Sequence, residues 1–237
     1  AVAVAISDRY TNEEAFVIKS FADAIGAKTL CFNNRENGLR NVLGVDASPN
    51  TIDELLSAEV ILCAGFVAKE NQVIRLKLKQ AAKNGAKVVL VNPEGYEQDH
   101  MSFVYKTVTT DNSLGFFKAV AKALVEMGKG ADKEGFDAFK ASVDGATVCE
   151  EAKAVAELYA NAKKAMIVFQ QNVVSVEAAE LLSDIAVVSG HIGKARDGIL
   201  MLRAKNNSQG LVDMGITAGA EALEGVKALM VFGEDPD

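Results

Sequence analysis

The sequence contains no tryptophan, and among its 237 residues are only three prolines, three cysteines and two histidines. Each scarcity closes a route. His100 and His191 are too few for a histidine-built metal centre or a Ser–His triad. Cys31, Cys63 and Cys149 are odd in number and widely spaced. They spell neither a disulfide framework nor a zinc or iron–sulfur spacing, and a reducing, cytoplasmic setting is expected. No apolar run approaches the ~18 residues that a membrane span needs, and no signal peptide is expected. With 25 basic against 32 acidic residues the net charge is −7, so nucleic acid is not an expected partner.

What is present suits a packed core: 49% hydrophobic and 24% charged residues, with a mean hydropathy of +0.12. The length fits one large domain or two small ones. Five short apolar runs, at residues 2–6, 60–64, 87–91, 165–169 and 228–232, are rich in Val, Ile, Leu and Met and do not alternate with polar residues. A sixth candidate covers 28–32. Strands covered on both faces of a parallel sheet have this composition. The chain begins and stops almost flush with two of these runs, which reads as a segment cut from a longer polypeptide.

Between the runs lie amphipathic stretches. Residues 13–25 follow Asn12 as the expected cap and stop at Gly26, with Phe16, Ile18, Phe21, Ala22 and Ile25 expected on the buried side. Further helices are expected over 71–83, 114–127, 150–162 and 176–188, with a loose loop at 128–135. Strand alternating with helix predicts a doubly wound α/β fold.

In such a fold ligands bind beyond the carboxyl ends of the strands. Four of these ends carry polar or glycine-containing turns, at residues 7–14, 65–71, 92–95 and 233–236. Their amides can hold phosphates, or the turns simply end strands; both readings stand on spacing alone. No G-x-G-x-x-G or P-loop fingerprint occurs. Residues 190–215 show no clean period and concentrate Asn206, Asn207, Gln209 and Asp213. A polar, flat ligand would occupy these groups, and so would self-capping turns. His191 is expected in a turn, His100 in solvent, Cys63 in a strand core, and Cys31 as an inert thiol.

Several motifs resemble the molybdopterin oxidoreductase family, which includes formate dehydrogenase large subunits and the iron–sulfur G subunit of NADH:quinone oxidoreductase (NADH dehydrogenase). The resemblance runs in order over nearly all 237 residues. Thr11-Asn12-Glu13-Glu14 is similar to the family's TNEE helix start. Residues 53–65 resemble its ADVILVIG strand, and 84–93 its RGAKLIVIDPR. The most specific stretch, 203–215, resembles RGQNNVQGACDMG, and Gly233-Glu234-Asp235-Pro236 matches GEDP.

The resemblance implies two Rossmann-like doubly wound domains, one inserted in the other: 1–30 plus 182–237, and 31–181. It implies that each holds one guanosine diphosphate arm of molybdopterin guanine dinucleotide in the parent. Carried over residue by residue, Gly65, Glu70, Asn92 and Pro93 line the site of the inserted domain. Gly193, Asn206, Asn207, Gln209, Gly210, Asp213, Gly233, Glu234 and Asp235 line the other.

The departures are specific. Glu94 replaces the family's arginine, and the Asn-Pro and His-Pro after Gly65 are missing. Cys31, near the place of the metal-ligating cysteine, is followed by Phe32 rather than histidine. Glu180 falls where formate dehydrogenases carry an active-site arginine. No catalytic or metal-ligating residue is therefore expected in this segment, and iron–sulfur clusters are expected outside it. The expected role is electron transfer in a subunit of the NADH dehydrogenase G type, beside other domains and subunits of an oxidoreductase complex. A catalytic formate dehydrogenase alpha-subunit fragment and a stand-alone nucleotide-binding module are the alternatives.

Overall fold

The computed structural model describes residues 1–34, 37–93, 102–192 and 198–235. In sequence order the elements are β1 (Val2–Ile6), α1 (Asn12–Ala24), β2 (Lys28–Leu30), α2 (Leu39–Leu43), β3 (Val60–Ala64), α3 (Val67–Glu70), α4 (Gln72–Lys83), β4 (Lys87–Asn92) and β5 (Lys106–Thr109). They continue with α5 (Ser113–Glu126), α6 (Phe136–Val143), α7 (Glu150–Asn161), β6 (Ala165–Gln170), α8 (Val176–Val188), β7 (Gly198–Leu202), α9 (Ser208–Asp213) and β8 (Ala228–Phe232). Short 3₁₀ turns at Ile52–Ser57 and Ala220–Leu223 complete the set. The fold is α/β with two parallel sheets.

The chain divides into two compact units, Ala1–Glu36 with Arg203–Asp237, and Asn37–Leu202. The resemblance places the return crossing at residue 182. Contacts place it at Arg203, because β7 pairs with β6 and thereby stays in the larger unit.

In the larger unit the strand order is β5-β4-β3-β6-β7, all parallel. Successive side chains of a strand point to opposite faces, and both faces here are apolar. Leu62, Val89, Ile167 and Ile199 face α5, α7 and α8, with Phe117, Leu124 and Tyr159 filling that layer. Ile61, Cys63, Val88, Leu90, Val168 and Leu200 face α4 and the 3₁₀ turn through Leu55, Ile74 and Leu78. Two covered faces explain why these strands carry unbroken apolar runs. The helices start where capping dictates: Ser175 Oγ accepts from Ala178 N (3.2 Å) and Asn112 Oδ1 from Gly115 N (2.9 Å).

The smaller unit has the parallel order β2-β1-β8. Its first helix starts one residue earlier than expected. Thr11, not Asn12, is the cap, in a capping box closed by Glu14 (Thr11 N to Glu14 Oε2, 2.9 Å; Glu14 N to Thr11 Oγ1, 3.3 Å). The expected buried side of α1 is also different. Ala15 and Ala22 are buried, whereas Phe16 is 63% exposed and Phe21 and Ile25 are 42% and 44% exposed. Among the described residues the sheet below has three strands; the small residues of α1 meet it, Ile18 packs beside them, and Phe21 reaches the Phe232 ring edge-on.

Two elements carry little signal in the sequence. Residues 190–215 contain a wholly buried strand, β7, and the short α9. β7 is as apolar as the other strands, but its Leu-Met-Leu composition carries no β-branched signature after Ile199. β5 is a polar edge strand, Lys-Thr-Val-Thr, whose alternation is too short to read.

Candidate functional site

Strand order fixes where a ligand crevice can lie in the larger unit. From β3 the chain winds outward through β4 to β5, and then returns to the other side of β3 at β6. The reversal lies between β3 and β6, and the crevice is at their carboxyl ends. The turn after β3 begins at Gly65, whose φ is +86°. A side chain there would be strained, and its Cβ would stand 3.2 Å from Val173 in the turn after β6. The Val173 side chain thus packs against the Gly65 backbone at the crevice floor.

Polar groups converge there. Gln170, the last residue of β6, is 6% exposed. Its Nε2 donates to the Glu70 carboxylate, tying the β6 rim to the end of α3. Its Oε1 is buried without a hydrogen-bond partner, and so is Nδ2 of Asn71, next to Glu70. Asn92, at the end of β4, is 1% exposed. The orientation that satisfies its amide donates to Gly65 O and to Val91 O (3.1 Å). Of the residues named from the sequence, Gly65, Glu70 and Asn92 thus share this rim, and Pro93 follows Asn92. Gln170 and Asn71 are the additions. The signal was the run Gln170-Gln171-Asn172 directly after an apolar strand. It is informative only once β6 is known to neighbour β3.

Buried polar groups normally have partners. An orphan acceptor on Gln170, which bonds Glu70, and an orphan donor on the next residue, Asn71, therefore fit a ligand edge that offers one donor and one acceptor, as a nucleobase amide edge does. Glu70 offers a carboxylate to hydroxyl donors such as those of a ribose. The residues present fit a nucleotide arm better than they fit a bare phosphate, which a carboxylate repels.

The smaller unit has the same logic, with its reversal between β1 and β8. Ser7 Oγ donates to Glu234 Oε1 (2.7 Å) across that point. Asp8, fully buried, accepts from Asn33 Nδ2 (3.0 Å) and from Ser208 Oγ. Asn207 clasps the turn after β1: its N donates to Asp8 O (2.9 Å), its Nδ2 to Tyr10 O (2.9 Å) and Asn12 Oδ1 (3.0 Å). Asn206 Nδ2 reaches Arg9 O at 3.5 Å, and Gly210 packs beside the Asn207 and Asn12 side chains.

Asn206, Asn207, Gly210, Gly233 and Glu234 therefore gather on one rim, and Asp235 follows it exposed. Gln209 and Asp213 pair along α9 (2.8 Å), while Arg203 Nε donates to Gln209 Oε1 (2.8 Å). The amides of this loop are engaged with the protein itself, which is the self-capping alternative. An open groove of about 560 Å³ beside them is lined by Asn12, Glu13, Phe16, Val17, Gly210, Asp213 and Met214. Gly193, His100 and Glu94 lie outside the described residues.

Cys31 sits at the end of β2, 2% exposed. Burial, with Asp8 and Glu234 nearby, pushes its thiol up to about 11, so it is no thiolate nucleophile. Burial likewise raises Cys63. Glu180, at the position where the resemblance puts an arginine, accepts from Asn41 Nδ2 and packs over Gly38. It braces α8 against α2. His191, directly after the turn at Gly190, is 4% exposed. Its Nε2 lies 2.9 Å from Tyr159 O, and the two rings stack edge-on at 4.9 Å. Among the described residues no group of three His, Cys, Asp or Glu side chains is placed to hold a metal, and no helix is long and apolar enough to cross a membrane.

No family model matches the chain. It is 26% identical over 243 residues to an F420-dependent formate dehydrogenase subunit alpha of Methanocaldococcus jannaschii, a match covering 88% of this chain and 35% of that protein. It is 25% identical over 232 residues to formate dehydrogenase H of Escherichia coli, covering 86% and 32%. The chain spans about a third of the length of these relatives. Among solved structures, the formyltransferase/hydrolase complex of Methylorubrum extorquens matches with a TM-score of 0.58 at 16% identity. That match covers 92% of this chain and 57% of the other, and it shows the fold.

Proposed function

Because this chain is a homologue of formate dehydrogenase alpha subunits and related molybdopterin oxidoreductases, we propose that it is the dinucleotide-holding region of such an oxidoreductase subunit. In this reading it is a segment of a longer polypeptide taking part in electron transfer. The carrying observation is the buried orphan pair, Asn71 Nδ2 and Gln170 Oε1, at the reversal point of the five-stranded sheet.

Gly65, Asn71, Glu70, Asn92 and Gln170 would hold the nucleotide of one molybdopterin guanine dinucleotide arm. The rim of Ser7, Asn206, Asn207, Gly210, Gly233 and Glu234 would hold the other. Gly65 lets the arm approach the backbone, the two orphan groups read the base edge, and Glu70 takes a ribose hydroxyl. The bound pterin would supply the redox chemistry; this protein's residues position its tails. Thermal melts with GDP, and with ADP as the control, test the reading. A ligand at a hundred times its Kd stabilises by about 2.7 kcal/mol, and the Gln170→Leu variant loses the GDP shift. Equal melts with and without GDP would refute it.

Within this reading, a subunit of the NADH dehydrogenase G type, without metal chemistry of its own in this segment, fits two features. Cys31 is a buried thiol beside two carboxylates, and Glu180 braces a helix in place of an arginine. The names of the relatives favour a catalytic formate dehydrogenase subunit as the second reading. Cys31→Ser in the full-length parent separates them, since a ligating cysteine cannot be replaced without loss of formate oxidation.

A further inference from the structure

A primary amide is nearly symmetric in shape: its oxygen and nitrogen fill almost the same space, and the hydrogen-bond partner decides which of them faces which way. A buried glutamine therefore reads a ligand only as well as something else holds its amide. Gln170 has a fixed stem. Its backbone is in register with Leu202 of β7, and its carbonyl accepts from Val173 N (3.1 Å) and Val174 N (3.0 Å). Its Cβ lies 3.6 Å from where a Cβ on Gly65 would stand. The flip of the amide is what remains to be set.

The partner of Gln170 leaves one orientation. An ionised carboxylate only accepts, so the amide turns its Nε2 toward Glu70, and Oε1 is left buried without a hydrogen-bond partner. Glu70 is itself held, its N donating to Phe66 O (3.0 Å) at the end of α3. A charge-assisted bond of this kind is roughly twice as strong as a neutral one. The next residue is also unusual. Asn71 is the cap residue of α4, where asparagine ordinarily accepts from the amides of its own helix. Its side chain makes no capping bond, and its Nδ2 is buried without a partner.

We propose that Glu70 is a positioning residue for the crevice. By accepting from Gln170 Nε2 it leaves Oε1 as the acceptor, with Asn71 as the donor, and so sets which polarity of base edge the crevice takes. The inference rests on the nucleotide reading of that crevice. It has Glu70 act through Gln170, separately from any contact of its second oxygen with a ribose hydroxyl. Guanine and adenine carry opposite patterns on the same edge: guanine accepts at its six-position and donates from N1, whereas adenine donates at its six-position and accepts at N1. A fixed amide therefore favours one purine over the other, while ribose and phosphate contacts are common to both.

In the 237-residue chain, NMR of the Gln170 side-chain amide tests the geometry before any ligand is added. The proton bonded to the carboxylate is expected downfield, and Glu70→Gln is expected to return it to the range of free amides. Titrations with GDP and ADP test the consequence. Glu70→Gln should lower the GDP-to-ADP affinity ratio about tenfold, the effect of one oriented hydrogen bond. Combining Glu70→Gln with Gln170→Glu exchanges the two partners. The carboxylate at position 170 then accepts from the amide at position 70 and still presents an oxygen, so the ratio should recover. Far-UV circular dichroism checks that each variant folds. No GDP shift in the unaltered chain overturns the nucleotide reading and this inference with it. GDP binding with a ratio that Glu70→Gln leaves unchanged overturns the inference alone. So does an amide resonance indifferent to Glu70→Gln, or an exchanged pair that binds no better than Glu70→Gln.

Discussion

Replacing Gly65 with alanine probes the floor of the crevice directly. At φ +86° an alanine meets the left-handed penalty, about 1–2 kcal/mol. Its Cβ also stands 3.2 Å from both Cβ and Cγ1 of Val173, so the β-branched, stiff neighbour must give by a few tenths of an ångström, which adds roughly 0.5–1 kcal/mol. The sum is about 2 kcal/mol, or a melting shift of about 4–8 °C for a chain of this size. Gly85→Ala is the control. Gly85 has φ +101° at the end of α4 with nothing within 4 Å of an added Cβ, so it carries the backbone term without the contact. Urea and thermal unfolding of both variants separate the two contributions. In GDP titrations Gly65→Ala should lose binding and Gly85→Ala keep it. Equal stability losses in the two variants, or unchanged nucleotide binding in Gly65→Ala, would refute the argument that the turn after β3 is shaped for close approach.

Asp184 on α8 is raised to about 6, first by burial and then by Glu180. Because its folded value lies above its ordinary value of 3.8, the native state holds the extra proton. Stability contributed by that proton is present at low pH and lost as pH rises through about 6. Asp184→Asn should stabilise the fold at pH 8, by about 1 kcal/mol after allowance for partial exposure, and leave stability unchanged at pH 4. A uniform shift at both would contradict the titration. Asn207→Ala removes the two hydrogen bonds that Nδ2 makes in the clasp on the β1 turn and should cost about 1–2 kcal/mol in urea unfolding. Thiol labelling of the native protein at pH 8 should consume one cysteine quickly, the exposed Cys149, with Cys31 and Cys63 reacting only on unfolding.

Much of this architecture was legible in the sequence because it rests on local rules. Apolar five-residue runs covered on both faces announce parallel strands, as residues 60–64 and 165–169 did. Ser, Thr and Asn at helix starts and glycine at the ends bounded α5 and α8 to within a residue. The carboxyl ends of the strands, and with them Gly65 and Asn92, followed from the fold class. Less legible was α1, where helical periodicity named Phe16, Phe21 and Ile25 as buried and the structure leaves them exposed.

The sequence by itself therefore determined most of the strands, the polar turns at their carboxyl ends, and a resemblance to molybdopterin oxidoreductases, formate dehydrogenase large subunits among them. Only the tertiary structure decided the order β5-β4-β3-β6-β7, and hence that Gln170 meets Glu70 across residues far apart in the sequence. It also decided that the amides of Asn206 and Asn207 are engaged on the β1 turn, and that Asn50 and Ser48 cap β7. Periodicity reports which face of an element avoids water. It carries no record of which neighbour removes that water, and neighbours are what make a site or cover an edge.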